Sequence, residues 1–192
     1  NGTSICNGTS KTFTITVNPS GQVNQPTNQV VCNNTATSTV NFSTTNTVGT
    51  TSYAWSFDTN IGLIPLTGSG NIPSFTAINT GTTPIVATIT VIPTFTNGAT
   101  NCIGTPKTFT ITVNPSGQVN QPTNQVVCNN TATNAVNFST TNTNGTTSYA
   151  WSINTNIGLS PLTGTGDLPS FTAINTGTTP ITATITVTPT YN

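Results

Sequence analysis

The segment KTFTITVNPSGQVNQPTNQVVCNNTAT, Lys11 to Thr37, recurs without a single change at Lys107 to Thr133, so the chain has an internal period of 96 residues. Its 192 residues are two such periods, and only 18 of the 96 aligned positions differ, among them Val48/Asn144, Phe57/Ile153, Ile64/Ser160 and Val86/Thr182. Solenoid repeats run to roughly 20–45 residues, whereas a period of this length holds a whole domain with its own core. The expected arrangement is a tandem array in which repetition supplies length rather than chemistry.

Only four side chains carry formal charge, Lys11, Lys107, Asp58 and Asp167, and the chain has no histidine and no methionine. Disordered chains combine high charge with few β-branched residues; this one is rich in Val, Ile and Thr and is expected to fold, with hydroxyls and amides keeping its surface wet. A net charge of zero removes the basic footprint that binding to nucleic acid or an anionic membrane needs. No apolar run approaches the roughly 18 residues of a membrane span. The missing methionine suggests an internal piece of a longer polypeptide, with any targeting signal lying outside it.

Apolar residues alternate with Thr at a period of two in run after run, and no helical stripe competes with that pattern. In Pro84 to Thr96, Ile85, Ala87, Ile89, Val91 and Phe95 share one face, and Val86, Thr88, Thr90, Ile92 and Thr94 share the other. The second copy identifies the core face. Its changes Val86 to Thr182 and Ile92 to Thr188 fall on the second face, while Ile181, Ala183, Ile185 and Val187 keep the first apolar. Lys107 to Asn114 reads likewise, with Phe109, Ile111 and Val113 inward and Thr108, Thr110 and Thr112 outward. Val40 and Phe42 mark another strand, and Tyr53, Trp55 and Phe57 a further one. Clusters of Asn, Gly, Thr and Pro at 44 to 51, 67 to 73, 79 to 84 and 97 to 106 punctuate these runs as turns.

About seven short strands in roughly 95 residues predict an all-β chain of tandem immunoglobulin-like sandwiches, with Trp55 at the third strand's core position. The strand 84 to 96, the loop 97 to 106 and the strand 107 to 114 read as one hairpin that closes a unit. Boundaries then fall at the Asn-Pro-Ser-Gly stretches 18 to 21 and 114 to 117. This frame makes 1 to 19 the last strand of a preceding repeat, 20 to 115 a complete repeat, and 116 to 192 a repeat lacking its last strand. Such an edge invites pairing with another copy. Two arrangements fit: a window of a long covalent tandem, or separate chains completing each other by strand donation.

The segment Tyr53-Ala-Trp-Ser-Phe-Asp58 resembles the Tyr-x-Trp-x-Phe signature of polycystic-kidney-disease-type (PKD) domains, with Thr59-Asn60 where Gly-Asp-Gly often follows. The phrases GTPKTFTITVNP (104 to 115), NQVVCNN (28 to 34) and GNIPSFTAINTGTTPIVATITVIPTFTNG (70 to 98) are similar to the PKD-like tandem repeats of giant Bacteroidota surface adhesins, the SprB-like gliding-motility adhesins among them. The resemblance covers the whole chain. It implies export by the type IX secretion system and display as a long filament at the cell surface.

Motifs for chemistry are missing. Asp58 and Asp167 occupy non-equivalent positions and each is Asn in the other copy, so neither copy has the carboxylate pair that acid/base catalysis requires. Without histidine there is no triad and no ordinary transition-metal set, and calcium junctions need several acidic oxygens. No enzyme, metal or cofactor is expected. Trp55 and Trp151 alternate in phase with Tyr53 and Phe57, or Tyr149 and Ile153, which favours packing over sugar stacking. The Thr108, Thr110, Thr112 ladder suits an outward strand face as well as an ice-binding one, and twist argues against the latter. The Asn-x-Ser/Thr sequons, such as Asn33-Asn-Thr and Asn137-Phe-Ser, are what chance gives in so Asn- and Thr-rich a chain.

The disulfide candidates are Cys6, Cys32, Cys102 and Cys128, two per unit, suggesting an oxidising extracellular setting. Three states stay open: a bond within one unit, a staple between neighbouring units, and free thiols. In the usual immunoglobulin topology Cys32 and Cys102 lie at opposite ends, roughly 30 Å apart, against the ~7 Å limit between bonded Cα atoms. The expected role is an adhesive shaft segment whose partners are neighbouring repeats. A loop-borne polysaccharide site is the alternative, and ice binding a distant third.

Overall fold

The computed structural model describes all 192 residues, and they form strands, turns and extended segments with no helix. Nine strands follow in order: β1 (Gln29–Cys32), β2 (Thr50–Phe57), β3 (Thr67–Ser69), β4 (Ile85–Asn97), β5 (Thr100–Ile103), β6 (Lys107–Asn114), β7 (Thr147–Ile153), β8 (Thr163–Thr165) and β9 (Ile185–Tyr191). They make two separate sheets. The larger has the order β1-β6-β4-β2-β3 with β5 paired to the far end of β4, and the smaller has the order β8-β7-β9.

The alternation sets which face is buried. Ala87, Ile89, Val91 and Phe95 of β4 and Phe109, Ile111 and Val113 of β6 are buried, while the Thr residues between them look outward. A second layer covers the buried face. Its segments 35–42 and 71–77 meet through the bridges Ala36↔Thr76 and Val40↔Ile72 and a short antiparallel ladder, including Val40 N–H to Ile72 O at 2.9 Å and Ala77 N–H to Thr35 O at 2.8 Å. Val40, Ile72 and Ala77 from this layer pack with Trp55, Phe57, Ile89, Phe109 and Ile111 in one core. The smaller sheet is covered in the same way through Ala132↔Thr172 and Val136↔Leu168, around a core of Trp151, Ile153, Leu159 and Leu168.

Two expected turns contain strands. The stretch 67 to 73 holds β3, because Gly68 lets β3 lie against the indole of Trp55, where an added Cβ would come within 2.2 Å of the ring. The stretch 97 to 106 holds β5, paired with β4 from Thr94↔Ile103 to Asn97↔Thr100. The strand expected at Val40 and Phe42 is reduced to isolated bridges. Residues 1–28 carry no strand, so the expected strand within 1 to 19 is unpaired here.

Candidate functional site

The chain enters the first body at one end and leaves it at the other. Gly21 donates its N–H to Cys102 O at 3.1 Å, beside the C-terminal end of β4, whereas Val113 and Asn114 at the exit lie beside Ile85 and Cys32. Between them, β1 runs parallel to β6 in the register Gln29↔Ile111, Val30↔Thr112, Val31↔Val113 and Cys32↔Asn114. Three amide side chains reinforce β6. Gln25 Nε2 donates to Thr108 O at 2.7 Å, Asn28 Oδ1 accepts from Thr110 N–H at 2.9 Å, and Asn79 Nδ2 donates to Val113 O at 2.7 Å. Asn79 is fully buried and fully used: it also donates to Thr83 O and accepts from Gly81 N–H.

The junction between the two bodies is short and bonded. Pro115 is buried, Asn33 Nδ2 donates to Ser116 Oγ at 3.1 Å, and Thr143 N–H donates to Thr82 O at 3.0 Å. Asn142 ties the junction together, accepting from Gln118 N–H at 2.7 Å and donating to Ser116 O at 3.1 Å. Asn46 repeats that role at the entry to the first body, toward Gln22 and Ser20.

Asp58 and Asp167 do the same work as the amides that replace them. Asp58 accepts from Thr88 N–H at 2.8 Å as Asn154 does from Thr184, and Asp167 accepts from Phe138 N–H at 2.8 Å as Asn71 does from Phe42. The Thr88 N–H is the main reason that the Asp58 carboxyl sits below the usual carboxylate range. No cluster of three or more Cys, Asp or Glu side chains is placed to hold a metal ion.

Trp55 and Trp151 are buried, and Trp55 meets Phe57 edge-on at 5.8 Å. Both pack inward, with part of Trp151 left to line a depression on the smaller sheet. The outer face of the larger sheet instead carries hydroxyls in register across four strands, as in the row Thr67, Ser56, Thr90, Thr108. A shallow depression of about 390 Å³ on the smaller sheet is lined by Ser152, Thr163, Thr165, Thr186 and Thr188 and by no ionisable group. Another, of about 380 Å³, lies at the entry end of the first body among Asn18, Asn46, Thr47 and Asn97.

No two of the four cysteines are bonded to each other within the chain. Cys32 is aligned with Asn114, near Ile85, while Cys102 is opposite Phe95. Ten residues of β4 separate those levels, roughly 30 Å, so a bond between Cys32 and Cys102 has no geometric basis.

The Asn, Gly, Thr and Pro clusters at 44 to 51 and 79 to 84 lie mainly between strands as expected, whereas those at 67 to 73 and 97 to 106 contain β3 and β5. The amides at Gln25, Asn28 and Asn79 were missed because, among so many Asn and Gln, nothing local distinguishes a strand latch from a loop residue. No known protein family, curated protein or solved structure matches this chain.

Proposed function

We propose that the chain is a shaft segment of a long extracellular filament of immunoglobulin-like, PKD-like repeats on a bacterial surface, acting in adhesion by bearing load. The complete repeat in this reading is 20 to 115, and its partners are the neighbouring repeats. The observation that carries the reading is the parallel pairing of β1 with β6 in a body whose chain enters and leaves at opposite ends. Tension applied through those ends runs along the strands, so the four registered pairs and the Gln25, Asn28 and Asn79 bonds are sheared together rather than opened singly. The buried Pro115 and the bonds of Asn33, Asn142 and Thr143 support a junction that keeps neighbouring repeats aligned. With β4 at 13 residues and ~3.3 Å per residue, each repeat advances the shaft by roughly 40–45 Å.

The same reading favours the staple between repeats among the cysteine arrangements. Cys102 lies beside Gly21 at an entry, Cys32 precedes the Asn33 that bonds Ser116 at an exit, and Gly117 is the counterpart of Gly21. Cys32 of one repeat thus faces the position that a Cys102 counterpart takes in the next.

Single-molecule pulling through residues 1 and 192 tests the mechanism. The first body should give a high-force rupture, and Ile111→Pro, which removes a donor from the middle of β6, should lower that force sharply. Rupture of the variant at an unchanged force would show that β6 does not carry the load and would sink the reading.

A further inference from the structure

We propose that Asn79 fixes the orientation of the second body although its side chain bonds no atom of that body. It closes a circuit of hydrogen bonds through which the seating of β6 and the docking of the second body become one event. In a load-bearing shaft, the reading on which its biological use rests, such a junction is rigid only while β6 is in place.

The circuit starts at the exit end of β6. Asn79 Nδ2 donates to Val113 O at 2.7 Å and Asn33 N–H donates to Asn114 O at 2.8 Å, so two amide residues hold the end of the strand. Those residues are bonded to each other, Asn79 N–H donating to Asn33 Oδ1 at 2.8 Å. From there two arms run toward the second body. In one, Asn33 Nδ2 donates to Ser116 Oγ at 3.1 Å, and Asn142 Nδ2 donates to the carbonyl of the same Ser116 at 3.1 Å. In the other, the Asn79 side chain brackets Thr82, accepting from Gly81 N–H at 3.0 Å and donating to Thr83 O at 2.8 Å, and Thr82 O accepts from Thr143 N–H at 3.0 Å. Asn142 and Thr143 are consecutive, so the arms meet. Every member is a neutral amide, a hydroxyl or a main-chain group, and salt does not screen such bonds.

Beyond the linker, Thr82 O is the one atom of the first body on which hydrogen bonds from the second end. Bonds of that kind contribute about 1 kcal/mol each against water, too little to dock a whole body unless Ser116 is held beside them. Asn33 holds Ser116, and Asn79 and Asn114 hold Asn33. A slip of β6 along β1 by one register step, about two residues or roughly 7 Å, carries Val113, Asn114 and Ser116 away from both amides. The second body then loses its seat. The loop that presents Thr82 is not what is lost, because Asn175 makes the equivalent bonds to Gly177, Thr179 and Asn129 with no strand beside it. What β6 adds is the alignment of the linker against a preformed loop. Linkage is reciprocal, so bonds made by the second body stabilise the end of β6 by as much as β6 stabilises the docking. Asn46 supplies an internal reference: it is the counterpart of Asn142 and bonds Gln22 N–H and Ser20 O in the same way, without a partner equivalent to Thr82.

NMR of the intact chain tests the proposal with two readouts. In the parent, residual dipolar couplings from the two bodies should fit one alignment tensor. Asn79→Ala should require two tensors, and Asn175→Ala, which removes the same loop bonds away from the junction, should not. Asn142→Ala alters only the second body, yet it should speed hydrogen exchange at the Asn33 amide, which bonds Asn114, at least about fivefold. It should leave the Asn34 amide, which bonds Ala77, unchanged, and Asn46→Ala should change neither. Parent-like exchange at Asn33 in Asn142→Ala would overturn the proposal, whether or not Asn79→Ala keeps the first body folded. Two tensors in the parent, or one in a folded Asn79→Ala, would overturn it as well. An equal response to Asn46→Ala would do the same, assigning the change to general loosening. A parent chain with one tensor that ruptures at low force would refute the shaft reading and leave this coupling standing.

Discussion

The segments Lys11–Thr37 and Lys107–Thr133 are identical in sequence and different in structure. Residues 107–114 form β6 between two strands, and residues 11–18 form none; residues 29–32 form β1, and residues 125–128 do not. Each pair differs only in what stands beside it. Where β6 is present, β1 has a partner and β4 extends back to Ile85; in the second body β9 begins only at Ile185, and Ile181–Thr184 lie outside the ladder. Strand propensity is the same in both copies, so the contrast isolates pairing as the deciding term. The loss also reaches the core: Asn79 is buried against the Val113 carbonyl, while its counterpart Asn175 is only half-buried and its side chain keeps only the local bonds to Thr179 and Gly177.

The largest effect should come from removing β6 as a partner. Ile111→Pro deletes a fully buried side chain and a ladder donor, a loss on the order of 3–5 kcal/mol. Hydrogen exchange should then show 29–32 and 85–88 losing protection until they match 125–128 and 181–184. Retained protection would mean that these strands hold without β6.

A smaller and more even effect is expected at the tryptophans. Gly68→Ala places a Cβ against Trp55 and Gly164→Ala places one against Trp151, and overpacking of this kind costs roughly 1–3 kcal/mol. Denaturant titration of each variant should show both bodies weakened, since this contact is the same with or without a last strand. A cost confined to one body would show that the two sheets pack their indoles differently.

Asn79→Ala should cost about 1–3 kcal/mol, because it strands the buried carbonyl of Val113 along with that of Thr83. Asn175→Ala should cost less than about 1 kcal/mol, its partners being open to water. Equal costs would remove β6 from the explanation.

The smallest effect concerns acid. Asp58 has its carboxyl held below the usual carboxylate range by the Thr88 N–H, so the stabilisation is present above the unfolded value near ~4 and is lost as pH falls through the folded one. Asp58→Asn copies Asn154 and should flatten the loss of first-body stability on acidification. An unchanged acid transition would show that the exposed carboxylate contributes nothing measurable.

The sequence by itself determined what is decided within a few residues. Alternation fixed which faces of β4 and β6 turn inward, since a period of two leaves a half-buried strand only one register of faces. Local turns behave alike in both copies: Asn34 and Asn130 take positive φ, and Thr35 and Thr131 bond back to the carbonyls of Cys32 and Cys128 whether or not a strand precedes them. These contacts close short loops and need no distant partner. Only the tertiary structure decided whether KTFTITVN is a strand, whether Gln25, Asn28 and Asn79 are latches, and that Gly68 lays β3 on Trp55. Each depends on a neighbour outside its own turn, 13 residues away for Gly68 and Trp55, 34 for Asn79 and Val113 and 83 for Gln25 and Thr108, and a β ladder exists only when both of its sides are present.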